Sequence, residues 1–174
     1  VVFLTLTLLG CTNIMDEYES PNFNKETGRF EHLSGDKNNK SFADLFGWAV
    51  GYFTRENDEA ENNGFPVIRS SKKDLKSFTE NVIWVGHASL LVNHSNVTIL
   101  TDPQFADRAS PFSFMGPKRV TPLPFSIADL PMIDVVVISH NHYDHLDEQS
   151  IRDIATRQPQ IKFLVPLGLK QLML

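Results

Sequence analysis

Ile133-Asp134-Val135-Val136-Val137-Ile138-Ser139-His140-Asn141-His142-Tyr143-Asp144-His145-Leu146-Asp147 is the stretch whose reading decides the fold. Up to Ile138 it is apolar and β-branched apart from Asp134, the composition of a strand buried on both faces of an α/β sheet. Three imidazoles and a carboxylate follow between His140 and His145. Ligand-type residues therefore begin where a buried strand ends, which is where open α/β sheets place their sites. Downstream, Glu148 to Arg157 is predicted as a helix with Ile151, Ile154 and Ala155 as its inner stripe and Pro159 beyond its end. Ile161 to Val165 is predicted as a second buried strand, and Gly168 to Leu174 as the start of another amphipathic segment. Strand, helix and strand at this spacing read as a βαβ unit with a right-handed crossover.

The spacing also suggests chemistry. If the chain stays extended through His140-x-His142, side chains two apart point the same way and two imidazoles can share one metal ion. Asp144 and His145 come as the chain turns toward the helix and can face a second ion. Neutral imidazole nitrogen and carboxylate oxygen are ordinary Zn²⁺ ligands. The plainer reading, a polar loop with histidines exposed by chance, must put three of the chain's six histidines around one aspartate.

His140-x-His142-x-Asp144-His145 resembles the signature of the metallo-β-lactamase superfamily of dinuclear metal hydrolases. A wider run is similar to its N-acylphosphatidylethanolamine-hydrolysing phospholipase D branch. That run comprises Trp84-Val85-Gly86-His87-Ala88, Leu100-Thr101-Asp102-Pro103, Arg108-Ala109-Ser110-Pro111, Met115-Gly116-Pro117-Lys118-Arg119, Asp129-Leu130-Pro131, Ser139 to Asp147, and Val165-Pro166-Leu167-Gly168. The resemblance covers residues 81–174 and implies the first half of an αββα sandwich of the α/β class. It implies two Zn²⁺ ions, with His140 and His142 on the first, Asp144 and His145 on the second, and Asp144 also orienting the attacking water. It further implies in-line attack on phosphorus, with an N-acylated ethanolamine phospholipid cleaved to phosphatidic acid and an N-acylethanolamine. The family supplies more histidines and a bridging aspartate from later strands. The chain is therefore expected to be a fragment that is inactive alone and binds metal poorly. Two alternatives stay open: another reaction on the same centre, on a lactone or a different phosphodiester, and a non-catalytic surface lipoprotein of the same fold.

Composition narrows the field. With 174 residues and 41% hydrophobic content, the chain can build a core. A net charge of −5 gives no basic footprint for nucleic acid. One cysteine rules out an internal disulfide framework and a cysteine-rich zinc module. That cysteine follows an apolar run, Val1 to Leu9, which is too short to span a bilayer and suits the tail of a signal segment. Leu8-Leu9-Gly10-Cys11 resembles a bacterial lipoprotein cleavage site, so Cys11 is expected to carry lipid and residues 1–11 to be a signal remnant. Thr12, in place of an inner-membrane retention aspartate, points to a periplasm-facing outer-membrane anchor and a membrane surface as partner.

Residues 12–40, polar and poor in aliphatics, read as a tether in which His32 is a solvated loop residue. Residues 41–80 read as a helical extension, with Ser41 capping a helix that carries Phe42, Leu45 and Phe46. Lys72, Lys73 and Lys76 read as wet surface.

From Asn81, Val82 to Val85, Ala88 to Val92 and Val97 to Thr101 are predicted as strands, the last two joined by the turn His94-Ser95-Asn96. His87, at a strand break after Gly86, is assigned a supporting role near the site. Asp102, ending a strand before Pro103, can accept a hydrogen bond from a ligating imidazole and fix its tautomer. The proline-punctuated stretch Phe105 to Pro131 is long enough to be functional. Phe112, Phe114 and Phe125 are candidate acyl-chain contacts in it, and Lys118 and Arg119 candidate phosphate contacts. Plain packing and a solvated pair are the competing readings.

Overall fold

The computed structural model describes residues 20–31, 34, 41, 43–44, 47, 66–77 and 80–173. The chain divides into two compact units, Val1–Asp58 and Glu59–Leu174.

Where a tether was expected, the first unit forms a hairpin. Strands β1 (Phe23–Asn24) and β2 (Arg29–Phe30) pair antiparallel. The Asn24 side chain accepts from the backbone N–H groups of Glu26 and Thr27, an Asx turn that closes the loop. The rings of Phe23 and Phe30 meet across the pair with centroids 5.2 Å apart. Further on, Ser41 and Asp44 form a reciprocal helix cap. Phe42, Leu45 and Phe46, the face expected on that helix, lie outside the described residues, as do His32 and Cys11.

The second unit is a mixed five-stranded sheet with few helices. Its strands lie in sequence order: β3 (Asn81–Gly86), β4 (Ser89–His94), β5 (Val97–Thr101), β6 (Val135–Val137) and β7 (Lys162–Leu164). The first three form an antiparallel meander. Between β4 and β5, Ser95 and Asn96 both take positive φ (50° and 64°), as a two-residue turn matched to strand twist requires. β5 then pairs parallel with β6, and β6 with β7 across the helix α2 (Glu148–Arg157). The described sheet and helices are consistent with the metallo-β-lactamase-like α/β class expected.

Alternation along β4 buries Ser89, Leu91 and Asn93 on one face. Leu91, Leu100 and Val136 meet there in the core with Ile151 and Ile154 of α2. Each such side chain withdrawn from water contributes about 1.5–3 kcal/mol.

Several expectations need correction. The strand around Val136 is three residues long, and only the Val136 and Ile138 face is fully covered, Val135 and Val137 being half-buried. The predicted strand at 161–165 narrows to β7. It lies at the sheet edge among the described residues, with Leu164 59% exposed rather than buried. Ala155 is half-buried, while Ser150 joins Ile151 and Ile154 on the inner face of α2. Within the stretch read as a helical extension lies a short helix, α1 (Lys72–Ser77), capped reciprocally by Ser71 and Asp74, with Lys72 and Lys73 exposed. Its Leu75 is buried in the core, so the packed unit takes in residues that the sequence placed in the extension. Among the described residues no helix is long and apolar enough to cross a membrane.

The stretch from Phe105 to Pro131 contains one short 3₁₀ turn, Ile127–Asp129. Phe105 and Phe125 are core residues with rings 6.4 Å apart, so Phe125 is not an exposed acyl contact. Phe112 and Phe114 are exposed, and their rings are 5.7 Å apart. Arg119 turns inward. Its guanidinium donates to the Ala106 and Gln104 carbonyls and to the Gln104 side-chain oxygen, closing the base of the loop. Burial lowers its pKa, opposed by the carboxylates of Asp107 and Asp147. The phosphate-contact reading of Arg119 thus gives way to a structural one. Lys118, bridged through its backbone to Arg108, stays exposed.

Candidate metal centre

The chain leaves β6 at Val137 and bends through the histidines instead of staying extended, with a turn at 143–145. The turn is closed by the His145 and Leu146 N–H groups donating to the His142 carbonyl at 3.0 and 2.7 Å. A bend serves as well as a strand to bring the first two imidazoles together: His140 Nε2 lies 3.0 Å from His142 Nδ1. Asp144 and His145 come together beside them, with Asp144 Oδ2 3.5 Å from His145 Nε2. The His140 and His145 ring centroids are 4.0 Å apart, so all the residues of the motif share one small region.

Asp102 anchors this region from β5. It takes a φ of 37°, a left-handed conformation that aspartate tolerates better than most residues. Its N–H donates to the Val137 carbonyl at 2.8 Å, continuing the β5–β6 ladder. Its buried carboxylate accepts the Ser139 N–H and the Ser139 hydroxyl, both at 2.7 Å. The same group lies 2.9 Å from His145 Nδ1. An ionised carboxylate can only accept, so the proton sits on Nδ1 and the lone pair of His145 Nε2 faces Asp144.

His87 comes from the same end of the sheet, just past the C-terminus of β3. Its Nε2 lies 2.9 Å from Asp144 Oδ2, and its ring meets His145 edge-on at 5.1 Å. His87, Asp144 and His145 each present one ligand atom, all within 4.8 Å of one another. Zn–N and Zn–O bonds of about 2.0–2.1 Å in tetrahedral geometry put ligand atoms roughly 3.3 Å apart. Asp144 Oδ2 lies 2.9 Å from His87 Nε2 and 3.5 Å from His145 Nε2, both near that value, and the donor set of imidazoles plus carboxylate suits zinc.

Electrostatics favour the ligand forms of His140 and Asp144. His140 is lowered from the ordinary histidine value, first by burial and then by the charges of His145 and His142, so it is neutral at neutral pH. For Asp144, burial acts upward but is outweighed by its own backbone N–H, by His145 and His87, and by the hydrogen bond from His87. It is therefore held below the usual carboxylate range.

A second polar group ties the site to the loop beneath it. Asp147 accepts the Ala106 N–H and the Ser150 hydroxyl, and Ser150 accepts the Phe105 N–H. The sequence reading missed this pair. Its one signal was two polar residues in the first turn of a helix.

Gly86 sets up His87. It has a φ of 144°, and a Cβ there would lie 2.8 Å from Arg119 Nη1, whose guanidinium is fixed by its acceptors. Gly86→Ala is expected to destabilise the fold by about 1–3 kcal/mol, the scale of a strained backbone residue. Denaturant unfolding measures this; an unchanged midpoint would refute it.

The likenesses to known proteins converge on this region. Residues 97–173 match the model of the beta-lactamase superfamily domain. The chain is 53% identical over 90 residues to N-acyl-phosphatidylethanolamine-hydrolyzing phospholipase D 1 of Caenorhabditis elegans, covering 52% of this chain and 25% of that protein. It is 36% identical over 90 residues to the mitochondrial N-acyl-phosphatidylethanolamine-hydrolyzing phospholipase D of Saccharomyces cerevisiae, covering 52% of this chain and 19% of that protein. The matched segment thus spans about a quarter or less of these relatives. A solved structure, a possible metal-dependent hydrolase from Veillonella parvula, aligns with a TM-score of 0.45 at 26% identity, over 55% of this chain and 38% of that one.

Proposed function

On the premise that residues 97–173 are part of a beta-lactamase superfamily domain, we propose that the protein is a metal-dependent phosphodiesterase of phospholipase D type acting on N-acylated ethanolamine phospholipids. The observation that carries this reading is the relay from Asp102 to His145 Nδ1 and from His145 Nε2 to Asp144. A histidine whose one nitrogen is held by a buried carboxylate and whose other faces a second ligand is built to bind metal. The substrate class is supported by the names of the worm and yeast relatives.

Two zinc ions, one held by His140 and His142 and one by Asp144 and His145, would supply the Lewis acidity that activates a water and neutralises charge at phosphorus. The chain's own groups do the rest. Asp102 fixes the His145 tautomer. Asp144, ionised and half-exposed, can accept a hydrogen bond from the attacking water and orient it. Lys118, exposed on the loop, is free to meet a phosphate oxygen. Lipidation of Cys11 would hold the protein at a periplasm-facing outer membrane, a lipid surface that suits a phospholipid substrate; the support is the Leu8-Leu9-Gly10-Cys11 sequence.

The test presents the intact protein, loaded with zinc, with N-acylphosphatidylethanolamine in vesicles, beside lactones and nucleotide phosphodiesters. Release of phosphatidic acid and N-acylethanolamine is expected, lost on chelation and restored by zinc. Turnover of the other substrates with the lipid left intact would sink the substrate class. Turnover that survives chelation would sink the metal dependence.

A further inference from the structure

Asp144 sits on an exposed turn, yet both roles given to it require a fixed carboxylate. Besides the contact with its own backbone N–H, its one hydrogen bond among the described residues is to His87, which lies 57 positions away in the sequence. We propose that His87 is the positioning residue for Asp144, its Nε2–H holding Oδ2 turned toward His145. The inference rests on the metal-centre reading and extends it to a residue outside the His140–His145 segment.

The backbone around His87 is shaped for this placement. Gly86 pairs with Ser89, leaving His87 and Ala88 as a two-residue connection, and the register shifts between Trp84 and Gly86. Gly86 and His87 both take positive φ, 144° and 50°. Beyond glycine, that region is occupied chiefly by asparagine, aspartate and histidine, so His87 is one of the few residue types suited to the turn. Trp84 clamps the turn by donating its indole N–H to the His87 carbonyl at 2.9 Å. The effect is to swing the imidazole over the end of the sheet, edge-on to His145 and within reach of Asp144. His87 is half-exposed, so core packing does not account for its position.

The chemistry of the pair follows from the donor and acceptor inventory. An ionised Asp144 can only accept, so His87 donates through Nε2. One bond to Oδ2 removes the rotation that would otherwise let the carboxylate swing into solvent. His87 thus lowers the ordering cost of binding an ion without having to ligate it. Partners of this kind change metal affinity by about 10–100-fold when removed.

The experiment is a titration of the intact protein with Zn²⁺ against a chromophoric chelator, together with the visible absorption of the Co²⁺-loaded form. Three variants are used. His87→Gly deletes the imidazole and relieves the φ of 50°, so backbone strain cannot explain a loss. His87→Gln keeps an N–H donor of similar reach. His145→Ala removes a ligand. The expected result is affinity weakened about 10–100-fold in His87→Gly, mostly restored in His87→Gln, with Co²⁺ spectra of the native shape in His87→Gln. If His87→Gly binds like the native protein, the positioning role is overturned. If His87→Gln binds as weakly as His87→Gly, hydrogen bonding is not what His87 supplies, and the role is overturned in favour of ligation. Native binding by His145→Ala would instead overturn the metal-centre reading itself, so the two failures are told apart.

Discussion

In the intact protein with His142 replaced by alanine, hydrolysis is expected to fall by roughly a thousandfold or more while the folded state is left nearly as stable as before. The loss follows from magnitudes. Metal activation supplies several kcal/mol of the barrier reduction, and each 1.36 kcal/mol is tenfold in rate. The preserved stability follows from position. The His142 side chain is exposed, and its one described side-chain contact besides ring packing is the 3.0 Å approach to His140 Nε2. What closes the turn is its carbonyl, which alanine retains, accepting from His145 and Leu146. Steady-state turnover and a thermal melt of the same preparation, with metal content by atomic absorption, check both halves. Turnover within a factor of a few of native would remove His142 from the ligand set.

Asp102→Ala is expected to damage both properties at once. The Asp102 carboxylate is buried and accepts three donors: the Ser139 N–H, the Ser139 hydroxyl and His145 Nδ1. Its removal leaves these donors unpaired, at about 1–3 kcal/mol for each one not rescued by water. It also frees the His145 ring to change tautomer, so metal affinity should drop by about 10–100-fold. Alanine is further disfavoured at a φ of 37°. Asp102→Asn keeps the shape and one acceptor, and should recover more of the stability than of the affinity, because its amide N–H₂ opposes a donor. Denaturant midpoints and zinc titrations on the two variants separate the effects. Equal recovery of both in the asparagine variant would count against the tautomer-fixing role.

The contrast between these two positions shows what could be read from the chain alone. Helix Glu148–Arg157 was legible to the residue, because Ile151 and Ile154 recur at helical spacing and Pro159 follows. The meander from Asn81 to Thr101 was legible because polar turns interrupt apolar runs. The clustering of His140, His142, Asp144 and His145 needed only their closeness in sequence, whether the chain between them bent or stayed extended. The bounds of helix α1 were not legible because six residues give too little periodicity to mark where a helix starts and stops.

What sequence could not fix are the meetings across distance. Asp102 reaches Ser139 and His145 because β5 and β6 pair in parallel at Thr101 and Val137, a register that no local pattern encodes. Arg119 read as a cation available to substrate, but the loop folds it onto the carbonyls of residues 104 and 106, which it must satisfy as they leave solvent. His87 was placed near the site by a glycine and a strand break. That it faces Asp144 was decided by the left-handed turn at residues 86–87 and by where the sheet ends. Periodicity and composition are local properties and set the elements. The contacts that orient ligand atoms depend on strand register and on a few strained backbone angles, and those come into being only when the sheet closes.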